Sequence, residues 1–435
     1  MDQPQAPIET IEVDVVVIGG GIQGLWLLGD LIDAGYNAIL LERMRPGFGQ
    51  TGHSHVFLHQ GHIYAGMAKA GMPIADQNII LNRIKHVQGA NSIWQQELRS
   101  GRLTGLQPIT STFYMAFSNA SRGEDFKDLC RRGSLTCDEP QTHPAEFGAL
   151  TQRLYQADGM CLDSNQLLTH LLQSGNLTER VGLCEIVSVQ PTSSGRFHLI
   201  DKKKSLRIEA CAVVLSAGSG NEHLQGLFGL DALTNGSKQQ TVKTFMLVIG
   251  EINEPLPANT GMHLDFDGLF LVSRKDSNGR TVWLIGDKQR KLVAVPGDIS
   301  AFDPVSWFRR TRLTLEKLFP KLISSPDDYE WGIYEASKAE LWTQFGPDAA
   351  GKFPGSYHFK RVPALPVWLA WPTLLTFAPL VASLIAQDVA TVLKPKTVAT
   401  DWLVWNDFRI ALAPENCRWK ITPLLGWKDF ERCYA

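Results

Sequence analysis

The chain has 435 residues, more than one hydrophobic core normally serves, so two domains are expected, and its 44% apolar composition can fill both. With 42 basic and 44 acidic residues the formal net charge is -2 and no dense Lys/Arg stripe occurs, which argues against nucleic acid as a partner and for small-molecule ligands. Seven cysteines, odd in number and without a CxxC pair, suit a reducing, cytoplasmic setting better than a disulfide framework.

The opening "MDQPQAPIET" is polar and acidic, unlike a signal peptide. Residues 13–18, "VDVVVI", are mostly β-branched, as a strand buried on both faces would be. "GGGIQG" follows at once. Gly19 permits a tight turn, Gly21 lets backbone approach a pyrophosphate, and Gly24 lets helix and strand pack closely. A helix then fits "LWLLGDLIDAG", with Leu25, Leu28, Leu31 and Ile32 on one face and Gly35 as terminator. A second strand, "NAILLE", ends in Glu42, placed to accept hydrogen bonds from the ribose hydroxyls of an adenosine. Ile22 and Gln23 at the helix entry, and Arg43 beside Glu42, join these as candidate dinucleotide contacts.

Next comes "TGHSHVFLHQGHIYA", residues 51–65, holding four of the eleven histidines. A metal site, a catalytic loop under a cofactor and an ordinary buried stretch all fit so far. The metal reading lacks a recognised ligand spacing and a nearby Cys or acid cluster. From Gly49 to Tyr64 the chain reads "GQTGHSHVFLHQGHIY". This resembles the form "HQTGHNSGVIHAGIYY" of the FAD-dependent D-amino-acid oxidase superfamily, whose members include glycerol-3-phosphate and L-2-hydroxyglutarate dehydrogenases and sarcosine oxidase. Gln50, Thr51, Gly52, His53, His59, Gly61 and Tyr64 match.

The resemblance implies that the cofactor is FAD and that this loop crosses the flavin, with Gln50, Thr51, Gly52, His53 and Ser54 touching it. It makes His55 and His59 the catalytic candidates, His59 as the base for an alcohol substrate. A histidine near His53 links covalently to flavin in some relatives, but the flanking residues resemble the non-covalent enzymes. His62 falls where relatives carry Leu or Ile, and Ser54-His55-Val56 replaces "NSG", so the substrate is less legible than the family. In "DGMCLDSNQLLTHLL", Asp163 and Gln166 have capping-box spacing at a helix entry. By the same resemblance Ile186, in "EIVSVQ", borders the adenine, and Ala217 and Gly218, in "EACAVVLSAGSG", approach the cofactor. Lys338, in "WGIYEASKAEL", would hold a substrate carboxylate. Leu374, Leu375 and Thr376 form a turn whose amides would stabilise charge on the flavin pyrimidine.

From Val362 to Gln387 the chain is uncharged and long enough to span a membrane, but Pro363, Pro366, Pro372 and Pro379 interrupt it. A buried strand, a turn around Pro372 and Thr373, and a helix from about Ala378 are expected instead, with no transmembrane segment. Between 240 and 292 the runs "QTVKTFMLVIGEI", "GLFLVSR" and "RTVWLIGD", the last two joined by "KDSNGR", predict an antiparallel sheet. Residues 304–320 read as a helix.

The expected fold is α/β: a Rossmann-like FAD-binding domain of glutathione-reductase type with a second α+β substrate domain built on an antiparallel sheet. The cofactor domain would be discontinuous, 1–75, 150–225 and 355–400, with 76–149 and 226–354 forming the substrate domain and 401–435 a Trp-rich tail over both. The implied activity is transfer of a hydride from a CH–OH or CH–NH carbon of a small polar, possibly carboxylated substrate to the flavin. The electrons would pass on to oxygen, a quinone or a carrier protein. No metal is expected. Flavin monooxygenases and halogenases share the opening fingerprint, but their "GD" motif is not found; an FAD-binding partner subunit without turnover is the non-enzymic alternative.

Overall fold

The computed structural model describes residues 9–67, 71–141, 151–203, 206–230, 238–256, 261–264, 269–276, 278–287, 304–342, 357–371, 374–395, 405 and 424–434, for some strand positions, Lys338 among them, by backbone alone. The chain opens with β1 (Glu9–Ile18), α1 (Ile22–Asp33) and β2 (Ala38–Glu42). Val15, Val16 and Val17 are fully buried, as a parallel strand covered on both faces requires. The helix α1 ends in a Schellman motif: Gly35 takes φ +86°, Tyr36 N–H reaches Leu31 O (3.0 Å), and Gly35 N–H reaches Ile32 O (2.9 Å).

Beyond the histidine loop come β3 (Phe57–His59), α2 (His62–Ala65), α3 (Ile74–Ser100), β4 (Thr110–Phe117), α4 (Ala120–Arg132), β5 (Cys137–Asp138), β6 (Arg153–Cys161) and α5 (Ser164–Gln173). Then follow β7 (Val181–Leu183), β8 (Ile186–Pro191), β9 (Phe197–Asp201), β10 (Leu206–Leu215) and α6 (Asn221–Leu227). The second half holds β11 (Lys238–Glu251), β12 (Gly261–Leu264), β13 (Leu269–Lys275), β14 (Thr281–Asp287), α7 (Pro304–Leu318), α8 (Pro320–Ser324) and β15 (Tyr329–Trp342). After these come β16 (Phe359–Arg361), β17 (Val367–Ala370), α9 (Ala378–Val392), β18 (Leu425–Gly426) and α10 (Trp427–Tyr434).

The strands form two sheets. The first runs β16-β17-β10-β1-β2-β7; β17, β10, β1, β2 and β7 pair in parallel, and the β8-β9 hairpin hangs antiparallel on the first half of β10. The second runs β18-β15-β11-β14-β13-β12-β4-β6-β3, antiparallel except where β12 meets β4. The "KDSNGR" turn joins β13 to β14 as the alternation predicts.

Sheet and segment boundaries do not coincide. The strands β3 and β6 lie in stretches assigned by sequence to the cofactor domain, yet they pair in the second sheet. Conversely α3, assigned to the substrate domain, packs on α1 through a T-shaped contact of Trp26 and Trp94 at 4.9 Å, and also touches α9.

The uncharged C-terminal stretch resolves into β17 and α9, with Pro372 and Thr373 outside the described residues. One described segment, Leu375–Val392, is apolar and long enough to cross a membrane, with mean hydropathy 1.5. Here Val381, Ala382, Ile385 and Val389 are fully buried, with α9 against α1 and α3. In the tail, Trp405 Nε1–H donates to Glu179 O (2.8 Å) beside the first sheet, while Trp427 packs on Trp331 of the second at 5.0 Å. Trp402 and Trp419 fall outside the described residues.

Candidate active site

The three fingerprint glycines meet different surroundings. At Gly19, φ +119°, a Cβ would lie 2.4 Å from Ser216 O, because β1 and β10 end side by side. At Gly24 it would lie 2.0 Å from Gly19 O, so the helix approaches the turn too closely for any side chain. At Gly21 the backbone is ordinary, φ -72° and ψ 171°, and the nearest atom is Thr51 Oγ1 at 3.3 Å. The protein's own packing therefore constrains Gly21 far less than Gly19 or Gly24, with only the Thr51 hydroxyl having to give by a few tenths of an ångström; the missing side chain keeps space open over the N-terminus of α1, where amides and helix dipole favour an anion. Ile22 N–H at this end donates to Thr51 Oγ1 (3.1 Å), and two buried amide atoms nearby in sequence, Gln23 Nε2 and Gln50 Oε1, have no hydrogen-bond partner. An open cradle with unmet polar groups fits a pyrophosphate-bearing cofactor.

The Glu42 carboxylate is fixed by Gly20 N–H (2.7 Å) and Met44 N–H (2.9 Å), leaving lone pairs for ribose hydroxyls. Gly47 N–H to Gly20 O (2.8 Å) and Gly52 N–H to Gly47 O (2.9 Å) lash the next loop to the same turn. Arg43 is exposed, while Ile186 is buried at the start of β8, and Cys184 N–H donates to Glu42 O (2.9 Å) to bring that strand alongside.

In the histidine loop, His53 Nδ1 lies 2.9 Å from Gly49 O, and Ser54 Oγ bridges Thr51 O (3.1 Å) and Val56 N–H (3.2 Å). Val56 takes φ +46°, a left-handed conformation costly for a β-branched residue and natural for the glycine of the related "NSG" pattern. His55 stacks on Phe270 at 5.9 Å, and its Nε2 is buried without a hydrogen-bond partner. Burial, with the Arg274 charge adding to it, pushes His55 down to about 3, so its ring is neutral. The Arg274 guanidinium, 4% exposed on β13, donates to Ser54 O (2.8 Å) and to Ser164 Oγ (3.4 Å). It thus sits where the second sheet meets the loop.

His59, expected as the base, is held by its own neighbours. It is 4% exposed, its Nδ1 accepts Gly61 N–H (3.0 Å), its carbonyl accepts Asn91 Nδ2–H (2.6 Å), and its ring meets Tyr64 edge-on at 5.8 Å. A nitrogen already accepting from a backbone amide is not available to take a substrate proton. Its geometry is that of a buried histidine that shapes the turn at Gly61. His62 is fully buried, its Nε2 bonded to Thr136 O (2.8 Å), and burial lowers its pKa. Lys338 lies on β15 opposite Val242, and its side chain is outside the described atoms.

The expected cofactor segment at Ala217 and Gly218 is tied to the end of β17 by a residue that the sequence did not single out. Asn221, fully buried, accepts Ala217 N–H (2.7 Å) and donates to Ala370 O (2.9 Å), tying the ends of β10 and β17. Gly218 follows with φ +58°. Leu374, with φ -64° and ψ 146°, enters a 3-10 turn, Leu375–Phe377, that runs straight into α9 and touches both β3 and α3. Thr376 is buried there, and its carbonyl accepts Trp94 Nε1–H (2.9 Å). Arg274, Asn91 and Trp94 were likewise missed, since none belongs to a local motif. Among the described residues, no group of three or more His, Cys, Asp or Glu side chains is placed to hold a metal.

Comparison with known proteins agrees with this geometry. The model of the FAD-dependent oxidoreductase family matches residues 14–358. The probable FAD-dependent oxidoreductase PA4991 of Pseudomonas aeruginosa is 25% identical over 349 residues, 76% of this chain and 81% of that one. Its crystal structure superposes with a TM-score of 0.62 over 90% of this chain and 94% of that one, at 22% identity. An L-amino acid deaminase from Proteus vulgaris has a TM-score of 0.61 at 14% identity, covering 91% and 95%. An L-alpha-glycerophosphate oxidase from Mycoplasma pneumoniae with FAD bound reaches 0.60 at 13% identity, covering 90% and 97%. With a family match across most of the chain and a nucleotide cradle at its head, the chain belongs to the FAD-dependent oxidoreductase family and uses FAD as its cofactor.

Proposed function

We propose that the chain oxidises a CH–OH or CH–NH carbon of a small carboxylated substrate, which binds between the histidine loop and the second sheet, the substrate layer. The observation that carries this reading is Arg274, a nearly buried guanidinium on that sheet beside Ser54 and His55. A planar cation in a dry site recognises a carboxylate far better than a neutral group of equal size.

FAD, when bound, supplies the hydride acceptor. Gly19, Gly21, Gly24, Ile22, Gln23 and Glu42 would hold its dinucleotide arm, and the loop Gln50–Ser54, Ala217, Gly218 and the turn Leu374–Thr376 its remainder. The chain's own residues orient the substrate and move a proton. Arg274 holds the carboxylate, and neutral His55 stands beside it to take the proton from the hydroxyl or amine. Arrival of the carboxylate would offset the Arg274 charge, the second cause after burial that depresses His55, and so raise the ring's basicity toward what a base needs. His59 holds the loop, and Lys338 remains a second cation candidate on the same sheet. Oxygen, a quinone or a carrier protein would take up the electrons.

Anaerobic bleaching of the bound flavin by 2-hydroxy acids and amino acids, each beside its uncharged amide, tests the reading. The acids should bleach and the amides should not. Arg274→Gln should lower kcat/KM for the responding acid by about 10²-fold while leaving any residual turnover of its amide unchanged. Equal reduction by acid and amide, or an equal loss for both in the variant, would sink the assignment.

A further inference from the structure

We infer that α3 is a positioning element for the flavin ring, its Asn91 and Trp94 side chains setting the gap between the histidine loop and the turn Leu374–Thr376. The inference rests on the reading that this turn meets the flavin pyrimidine edge, and it adds two residues that lie outside the fingerprint, the loop and the turn.

The helix α3 turns a mostly apolar face inward through Ile80, Ile84, Val87 and Ala90, and Asn91 and Trp94 stand at the end of that face. Asn91 is 3% exposed and Trp94 is fully buried. Three positions apart, they project from neighbouring points on one side of the helix. Asn91 Nδ2–H reaches His59 O (2.6 Å), 32 residues away in the chain, and Trp94 Nε1–H reaches Thr376 O (2.9 Å), 282 residues away. One helical turn thus holds two distant segments, and β3 and the turn also touch each other. The Trp94 ring meets Trp26 edge-on at 4.9 Å, which ties α3 to the helix whose N-terminus forms the anion cradle.

Packing alone does not ask for these side chains. Leucine would fill the Asn91 place and phenylalanine most of the Trp94 place, without burying an amide or an indole N–H that must then be bonded. What the two donors add is direction, because a hydrogen bond is sensitive to angle and apolar contact is not. Leu375 and Thr376 open the helical run into α9, and the first amides of such a run have no acceptor within it and can face a ligand. Holding Thr376 O fixes the orientation of Thr376 and with it the direction of those amides. Reduction places negative charge on the N1–C2=O edge of the flavin, so that direction sets how far the reduced form is stabilised.

The test uses the FAD-bound protein and Trp94→Phe, which keeps a ring and removes the donor. With the turn loosened, the ratio of reduced- to oxidised-flavin affinity should fall about tenfold, lowering the midpoint potential by about 30 mV for a two-electron couple. Trp26→Phe is the packing control. It trims the same ring contact without touching Thr376, and should lower the melting temperature while leaving the potential where it was. An unchanged potential in Trp94→Phe, or an equal fall in Trp26→Phe, refutes the positioning role. Should Trp94→Phe not fold, Asn91→Leu carries the test: it should alter the visible circular dichroism of the bound flavin as the loop shifts, and identical bands would refute the role. A crystal structure of the FAD-bound protein separates the two levels. If the pyrimidine edge lies against Leu374–Thr376 while the potential does not move, the inference alone fails; if that edge lies elsewhere, the reading of the turn fails and the inference falls with it.

Discussion

Gly21 and Gly24 are both glycine, for reasons that separate in experiment. Gly24 answers to its own protein, because a Cβ would strike Gly19 O at 2.0 Å, whereas Gly21 has only the Thr51 hydroxyl near it. Gly24→Ala should therefore destabilise the flavin-free protein by about 1–3 kcal/mol, as overpacking does. Gly21→Val should lower the flavin-free melting point less than Gly24→Ala does, since only the Thr51 hydroxyl must give way, and should abolish flavin retention, read as the flavin-to-protein absorbance ratio after purification. A Gly21→Val protein that keeps stoichiometric flavin would place the pyrophosphate elsewhere. His59 is a residue of the other kind. With its ring nitrogen holding the Gly61 amide, His59→Ala should cost about 1–3 kcal/mol of stability by leaving that buried N–H unpaired, while the backbone carbonyl keeps Asn91. Its surviving folded fraction should reduce flavin at close to the original rate; rapid-mixing kinetics beside thermal melts decide, and a stable variant with a large rate loss would restore the catalytic assignment.

At the scale of elements, the cofactor layer depends on ties that connect strand ends. Asn221 satisfies Ala217 N–H and Ala370 O from one side chain, so Asn221→Ala leaves two buried groups unpaired and should cost about 2–5 kcal/mol. Flavin affinity should fall with it, because the turn at Ala217 and Gly218 loses its fixed position; urea unfolding and flavin titration measure the two effects. Such ties also mark the limit of what the sequence makes legible. The unit β1-α1-β2, the hairpin β13-β14 and the helix α9 are encoded locally, through β-branched runs, alternation and turn or cap residues, and each was readable from its own stretch. Asn221 acts on a carbonyl 149 residues away, and Arg274 on a loop 220 residues away. No local pattern carries that information. The histidine loop reads as a cofactor loop by resemblance, but the surroundings of each of its histidines could not be read. Whether a ring nitrogen meets Gly61 N–H, a stacked Phe270 or Thr136 O is decided by neighbours from other elements.

On the scale of the whole molecule, the two sheets meet at the histidine loop, and His55 is the side chain held between them. Its ring belongs to the loop, while Phe270, Arg274 and a backbone group of Leu284 belong to the second sheet. Closure of the sheets thus determines its protonation. In the unfolded chain His55 takes a proton near pH 6.5, and in the folded protein it resists until about 3. Between those values the unfolded state holds the extra proton, so stability falls as pH is lowered through that window and is unaffected by His55 above it. One such group contributes a slope of at most about 1.4 kcal/mol per pH unit. His62 and His358, both lowered by burial, act in the same direction. Asp30, raised to about 6 by burial, acts in the opposite one, losing its contribution as pH rises from 3.8 to 6. The total acid limb is therefore a composite, and the difference between wild type and His55→Asn isolates the histidine. Denaturant unfolding between pH 4 and 8 should give two curves whose separation is constant above pH 7 and changes steadily below 6.5, with the variant less sensitive to acid. Parallel curves across the whole range would mean that His55 meets solvent in the closed protein and that the second sheet does not enclose the loop.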